Sequence, residues 1–252
     1  MQKIIFIFLL FSKLFSEPFV GLTLITNSIN PNENDDSQLA YTHLVDNNQN
    51  IINAWVHTTS PASIAYLSKD SILYTPCKIS NDITGPEGGR FTKMDWFGNI
   101  IWDYTLPQSI CRPHHDIEVL PNGNILAICT ETKTQNEAVN VGIQNINGDM
   151  SLDMIIEIQP IGSNEADIVW EWHFWDHLVQ DRGPQYTATY GQISDYPELL
   201  DINVTGSGDN NGISDWNHCN KISYNAEFDQ IVLSSRFMNE IYVVDHSTTT
   251  EE

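Results

Sequence analysis

The 252-residue sequence predicts an all-β fold of repeated four-stranded blades, a β-propeller, on three observations. Short apolar runs return between Asn/Asp/Gly turns, two hairpin phrases alternate along the chain, and a tryptophan closes each round. The first phrase is strand, turn, strand: Ala65 to Tyr74, then Asp116 to Cys129 around Pro121-Asn122-Gly123-Asn124, then Asn220 to Arg236 around Asn225 to Asp229. Its Asn-Gly centre is a strong hairpin signal, because both residues tolerate the positive φ of a tight type I′ turn. The second phrase leads from an apolar strand through a polar turn to a Trp: Leu44-Val45-Asp46 to Trp55, Met94-Asp95-Trp96-Phe97-Gly98-Asn99 to Trp102, and Ile156-Glu157-Ile158 to Trp170 and Trp172. Two hairpins make four strands, and the first phrase returns after about 50 residues, the length of one blade. Evenly spaced short strands also suit a two-sheet sandwich. The recurring Asp-x-x-Gly turn and Trp favour radial repetition instead.

From Trp175 to Asp215 the rhythm breaks. The stretch at about 175–215 is expected to be an insertion between blades, with short helical turns at Asp176 to Gln180 and Tyr196 to Leu200, then a pliable Gly206 to Gly212. Insertions of this length are more often functional than idle. About four blades remain in a partial propeller domain over 17–252. The last strand, Glu240 to Asp245, is left without a partner strand or a following Trp. Because a propeller closes on itself to hide its edges, the expectation is a chain truncated within a longer ring.

Hydrophobic residues at 41%, with seven Trp, supply a sizeable core. Against it stand 11 Lys+Arg and 33 Asp+Glu, a formal charge of −22, which repels phosphate backbones and anionic membranes. Nucleic acid is thereby excluded as a partner, and an anionic ligand must meet a local cluster of basic groups. Met1 to Ser16, with Lys3, the apolar run Ile4 to Phe11 and small residues at Ser12 and Ser16, predicts a secretory signal peptide at 1–16. That run is too short to span a bilayer, and no other stretch approaches the ~20 apolar residues required. An exported protein, periplasmic or extracellular, is expected. Cys77, Cys111, Cys129 and Cys219 can be buried thiols or form one or two bridges, and their spacing does not suit structural zinc. Asn203-Val204-Thr205 is a glycosylation sequon.

Eight histidines and few other basic side chains form the search space for a site. A turn centred between Asn122 and Gly123 places His114 opposite Glu131 and His115 opposite Thr130, and a five-residue loop at 225–229 places His218 opposite Arg236. Two facing basic side chains repel unless an anion sits between them. Arginine's planar fork suits a tetrahedral oxyanion. Each residue also has an ordinary role: an edge pair capped by Glu131, an Arg236 pair with Asp215 or Glu240, a core His218 beside Trp216. Together, though, the four occupy equivalent ends of first-phrase hairpins, which in a propeller ring the mouth of the channel. A metal set of His114, His115 and His177 lacks helical His spacing, and the loop Asp209 to Asp215 lacks full calcium-ligand spacing. No metal or cofactor is expected.

At these residues a resemblance enters. Met94 to Trp102, His114-His115-Asp116-Ile117 through Asn124, Trp170-Glu171-Trp172-His173-Phe174-Trp175-Asp176-His177-Leu178, Asp215-Trp216-Asn217-His218 and Ser234-Ser235-Arg236 resemble the bacterial aryl-sulfate sulfotransferase family, from about Gly21 to the end. The resemblance implies a six-bladed, exported propeller. It also implies transfer of a sulfuryl group from a phenolic sulfate ester to a phenolic acceptor, without a nucleotide sulfate donor, through a transient sulfohistidine. Two further histidines and an arginine assist, and the motifs carry these roles onto His114 or His115, His218 and Arg236. The nucleophilic histidine belongs to a later blade, and His246 does not match its motif. Two other classes stay open: a secreted non-catalytic propeller binding a sulfated or phenolic ligand or a partner protein, and a quinoprotein-like dehydrogenase.

Overall fold

The computed structural model describes residues 19–27, 39–80, 87–204 and 215–248. The predicted signal peptide, Thr205 of the sequon and most of the Asp209 to Asp215 loop lie outside the described residues. The chain is mostly β, in antiparallel sheets that follow one another along the sequence.

The first sheet holds β1 (Leu22–Thr26), β2 (Ala40–Asp46) and β3 (Ile51–His57) in chain order. In β2 the alternate residues Ala40, Thr42 and Leu44 are buried, the period of a strand with one face on a core. The second sheet is a four-stranded meander of β4 (Tyr66–Leu67), β5 (Leu73–Cys77), β6 (Arg90–Met94) and β7 (Ile100–Thr105). The turns before β3 and β7 are built alike. Asp46 accepts from the Asn50 N–H and side-chain amide, both at 2.8 Å, and Asp95 does the same for Asn99, a side chain standing in for the backbone turn.

The third sheet, β8 (Arg112–Val119), β9 (Ile125–Lys133), β10 (Met150–Ile161) and β11 (Glu165–His173), is the most deeply buried. Between β9 and β10 the chain makes helix α1 (Gln135–Val141), which opens on a capping box of Thr134 and Glu137 and ends at Gly142 in the left-handed region. After β11 come two short 3₁₀ turns, at Phe174–Asp176 and Ile193–Asp195, and a small parallel sheet with β12 (Leu178–Gln180) between β13 (Thr189–Tyr190) and β14 (Leu200–Asp201). The expected helical turns at 176–180 and 196–200 are therefore displaced. Buried Leu178, Val179 and Gln180 pair as a strand on both edges, where a β-branched residue packs well.

The fourth sheet is β15 (Cys219–Asn225), β16 (Gln230–Ser235) and β17 (Glu240–Asp245). The expectation that Glu240 to Asp245 lacks a partner is corrected: it pairs with β16 along its whole length, Gln230 opposite Asp245 through Ser235 opposite Glu240.

Three cores lie between successive sheets. Leu44 and Trp55 of the first sheet meet Leu73 and Met94 of the second. Phe91 and Trp102 meet Ile125, Ala127 and Met154 of the third. Leu126, Ile128 and Ile155 meet Trp216, Ile222 and Leu233 of the fourth region. Neighbours on β9 feed opposite cores, so the third sheet is covered on both faces, unlike a two-sheet sandwich with its single core. Each fully buried Leu, Ile or Phe contributes about 1.5–3 kcal/mol.

The repeated tryptophans explain how the sheets are joined. Trp55 donates its indole N–H to the Asp95 carbonyl at 2.8 Å, Trp102 to the Glu165 carbonyl at 2.9 Å, and Trp170 to the Thr248 carbonyl at 2.8 Å. Each bond runs to the next sheet, at or beside the end of one of its strands. The stacking is thus repeated in hydrogen bonding as well as in packing, although no closed ring forms among the described residues.

Candidate active site

The site begins with an irregularity in β8. Next to its turn the strand pairs Val119 with Ile125 and Ile117 with Ala127, but further on Pro113 faces Cys129. Three residues, His114, His115 and Asp116, thus oppose one residue of β9, a bulge that re-aims their side chains. The predicted pairs His114 with Glu131 and His115 with Thr130 do not form. A turn shifted by one residue and this bulge overturn them, and Glu131 instead takes His173 at 3.0 Å and Lys133 at 2.6 Å. His115 sits at φ 57° and His218 at φ 48°, a left-handed conformation costing roughly 1–2 kcal/mol for a residue with a Cβ.

In the fourth sheet the outcome is the expected one by another route. The turn is one residue tighter than predicted, pairing Asn225 with Gln230, and a bulge between Cys219 and Lys221 restores the offset. The Arg236 N–H accordingly donates to the His218 carbonyl at 3.0 Å. Both histidine-bearing strands are irregular at the end away from their turns.

These irregularities bring three imidazoles together. His114 and His115 approach Nδ1 to Nδ1 at 2.8 Å, and the rings of His115 and His218 lie edge-on with centroids 4.7 Å apart. Beneath them is Asp153, 2% exposed, from the apolar run of β10. Its Oδ1 accepts from His114 Nε2 at 2.9 Å and its Oδ2 accepts the Cys219 N–H. Its own N–H donates to Asn217 Oδ1 at 2.9 Å, and Trp216 N–H donates to the Ser151 carbonyl at 2.8 Å. The Asp-Trp-Asn-His segment is therefore fastened to β10, which fixes His218 relative to His115. Ser235 adds a hydrogen bond to the Asn217 carbonyl at 2.5 Å.

Arg236 is exposed, its guanidinium 5.2 Å from the centre of the Phe237 ring. The two carboxylates considered for it are engaged elsewhere: Asp215 accepts from His218 Nδ1, and Glu240 from the Tyr242 hydroxyl at 2.7 Å. Phe237 also packs on His218, centroids 5.0 Å apart. Three histidines lie together at one end of the neighbouring strands β8 and β15, and Arg236, its backbone bonded to His218, has no carboxylate partner among the described residues.

The comparisons with known proteins bear on what this cluster serves. The sequence profile described as arylsulfotransferase (ASST) matches residues 21–250. The chain belongs to the arylsulfotransferase family. It is also similar to arylsulfate sulfotransferase AssT of Escherichia coli O6:H1, 24% identical over 175 residues. The match takes in 64% of this chain and 27% of that relative, so the chain spans about a quarter of the length of the protein it matches.

In this arylsulfotransferase chain the remaining histidines have other partners. His177 accepts from Trp172 Nε1 at 3.1 Å and contacts the His173 carbonyl through Nδ1 at 2.9 Å, so it does not join His114 and His115. His246 lies between Asp229 at 2.7 Å and Glu157 at 2.8 Å, near the turns of β8–β9 and β15–β16 and so at the opposite end of β8 and β15. The four cysteines are free and buried.

Burial first, then the neighbouring His114 and His218, push His115 down to about 4, which keeps it neutral near pH 7. A narrow cleft beside it is lined by Ala62, Gly88, Phe91 and Pro113. Sequence reasoning missed Asp153, although one carboxylate within Leu152-Asp153-Met154-Ile155-Ile156 is a visible signal, since a charge in an apolar run is buried only with partners. The ordinary alternative for Arg236, a pair with Asp215 or Glu240, left unread that Asp215 takes His218.

Proposed function

We propose that His114, His115, His218 and Arg236 form the sulfuryl-binding part of an aryl-sulfate sulfotransferase, which moves a sulfuryl group from a phenolic sulfate ester to a phenolic acceptor. The observation that supports this most is the convergence of these four motif residues at one end of β8 and β15, in a chain of the arylsulfotransferase family. We infer further that the successive sheets are blades of a propeller and that the chain is exported behind a signal peptide at 1–16.

The chemistry follows from what each group offers. A neutral imidazole attacks sulfur, the bond between sulfur and the aryl oxygen breaks, and the phenolate leaves with a proton supplied by a second histidine. An acceptor phenol reverses these steps, giving up its proton as its oxygen takes the sulfuryl group. Arg236 stabilises the negative charge on the sulfuryl oxygens. In a chain whose net charge is −22, an exposed guanidinium beside a cluster of histidines is the local exception that an anionic ester needs. In this reading the four residues bind the ester and move protons, while the nucleophile comes from a segment outside this sequence.

The test is release of nitrophenol from 4-nitrophenyl sulfate with phenol as acceptor, by this chain and by a version extended through further blades. Acceptor-dependent release by the extended form, reduced about 10²-fold by Arg236→Ala with the fold unchanged, supports the reading. Unchanged turnover in Arg236→Ala removes this residue from the site. Turnover by the short chain alone would place the nucleophile among the residues described here.

A further inference from the structure

We propose that Asp153 is a positioning residue: it holds the hydrogen of a neutral His114 on Nε2, so that His115 carries its hydrogen on Nδ1 and presents a bare Nε2. The argument is an accounting of hydrogens. An ionised carboxylate only accepts, so the hydrogen in the 2.9 Å contact between Asp153 Oδ1 and His114 Nε2 belongs to the ring. A neutral His114 then has a lone pair at Nδ1. The 2.8 Å contact from that atom to His115 Nδ1 needs one hydrogen, and His115 must supply it. What remains to His115 is the lone pair at Nε2. The second oxygen of Asp153 is committed to the Cys219 N–H, and its 2% exposure leaves little room for rotation. The setting thus passes from a buried carboxylate through two rings, in the way that a carboxylate orients the base of a catalytic triad.

This inference rests on the sulfuryl-transfer reading for its chemical meaning. There it distinguishes between the paired histidines: His115 is the group that accepts a proton, and His114 is the link that orients it. The hydrogen positions themselves are measured without substrate, so the two ideas fail separately.

The experiment is two-bond ¹H–¹⁵N correlation NMR on the chain labelled with ¹⁵N-histidine, with His114 and His115 assigned by loss of signal in His114→Gln and His115→Gln. The expected wild-type pattern is a protonated Nε2 with bare Nδ1 for His114, and the reverse for His115. A His114 protonated on both nitrogens, or a His115 with its hydrogen on Nε2, overturns the proposal. Asp153→Asn gives a second reading. Its amide oxygen stays on the Cys219 N–H, its NH₂ faces His114 Nε2, and both rings must exchange their hydrogens, leaving Nε2–H on His115. If a folded Asp153→Asn keeps both wild-type patterns, Asp153 does not set them and the proposal fails. Should that variant not fold, the wild-type spectrum decides alone.

Discussion

Acid stability offers a sharp test of the packing, through His57 at the end of β3. It is 3% exposed, and Thr42 Oγ1 lies 2.8 Å from its Nε2, while Nδ1 is buried without a hydrogen-bond partner among the described residues. Burial pushes its pKa from 6.5 down to about 4. The fold holds the neutral ring, so the unfolded chain binds the extra proton between those values. The stability that the neutral ring contributes is complete above about pH 6.5 and is lost as the pH falls toward 4. At about pH 4.5 the loss comes to about 2–3 kcal/mol. His57→Leu removes the proton acceptor and the unpaired Nδ1 together, and Thr42 keeps Thr26 Oγ1 as a partner at 3.1 Å. Urea unfolding of both proteins at about pH 7 and pH 4.5 isolates the effect, since all other titrating groups are shared. The expected result is near equality at the higher pH and a variant more stable by about 2–3 kcal/mol at the lower. Equal losses in both proteins on acidification would refute the reasoning.

Two further predictions concern the joints between sheets. Asp116, 5% exposed, accepts from the Tyr66 hydroxyl at 2.6 Å, Lys221 Nζ at 2.7 Å and the Ile222 N–H at 3.2 Å, so it ties together strands of three sheets. Asp116→Ala is expected to cost about 2–4 kcal/mol in urea unfolding, the lower part of the range for a broken buried pair because Lys221 is half exposed and regains water; a loss under about 0.5 kcal/mol would show that the joint carries no stability. Trp102→Phe keeps most of the apolar volume but loses the bond to the Glu165 carbonyl. It is expected to cost about 1–2 kcal/mol by thermal unfolding, and an unchanged melting temperature would remove the indole hydrogen bond from the account of sheet stacking.

What the sequence revealed and what it concealed divide along physical lines. Turn chemistry and periodicity are local, and the hairpin at Asn122-Gly123, the Asp95 to Asn99 turn and the recurrent tryptophans were legible for that reason, although Gly123 alone takes the positive φ expected of both residues. The bulges in β8 and β15 were not, because they depend on which strand lies alongside. Register counted from a turn therefore misplaced His114 and His115, and it placed His218 beside Arg236 only because two one-residue offsets cancelled. Helix α1 went unpredicted although Thr134-x-x-Glu137 is a capping box; seven residues inside a β-rich stretch give too little periodicity to stand out. Asp153 illustrates the remaining gap. Its partners, His114 and Cys219, come from strands far apart in the sequence.

The two ends of β8 and β15 show why geometry and not residue type separates the histidines. His246 is as well ordered by partners as His115: Asp229 and Glu157 bind its two nitrogens, and the Trp170 ring lies 4.8 Å away. Both ring nitrogens are thereby occupied by side chains that join the sheets. Its neighbours explain the arrangement, since Asn124 donates to Glu157 at 2.5 Å and Tyr224 to Asp229 at 2.8 Å, which makes the cluster a clasp between the third and fourth sheets. At the other end, among the described residues, one carboxylate hydrogen-bonds to the histidine pair, and it bonds His114. The ring beyond, His115, is held in a strained backbone conformation and kept neutral by burial. Strain of this kind persists only where the surroundings over-determine it, and here the surroundings are the bulge, the Asp153 carboxylate and the docked Asp-Trp-Asn-His segment.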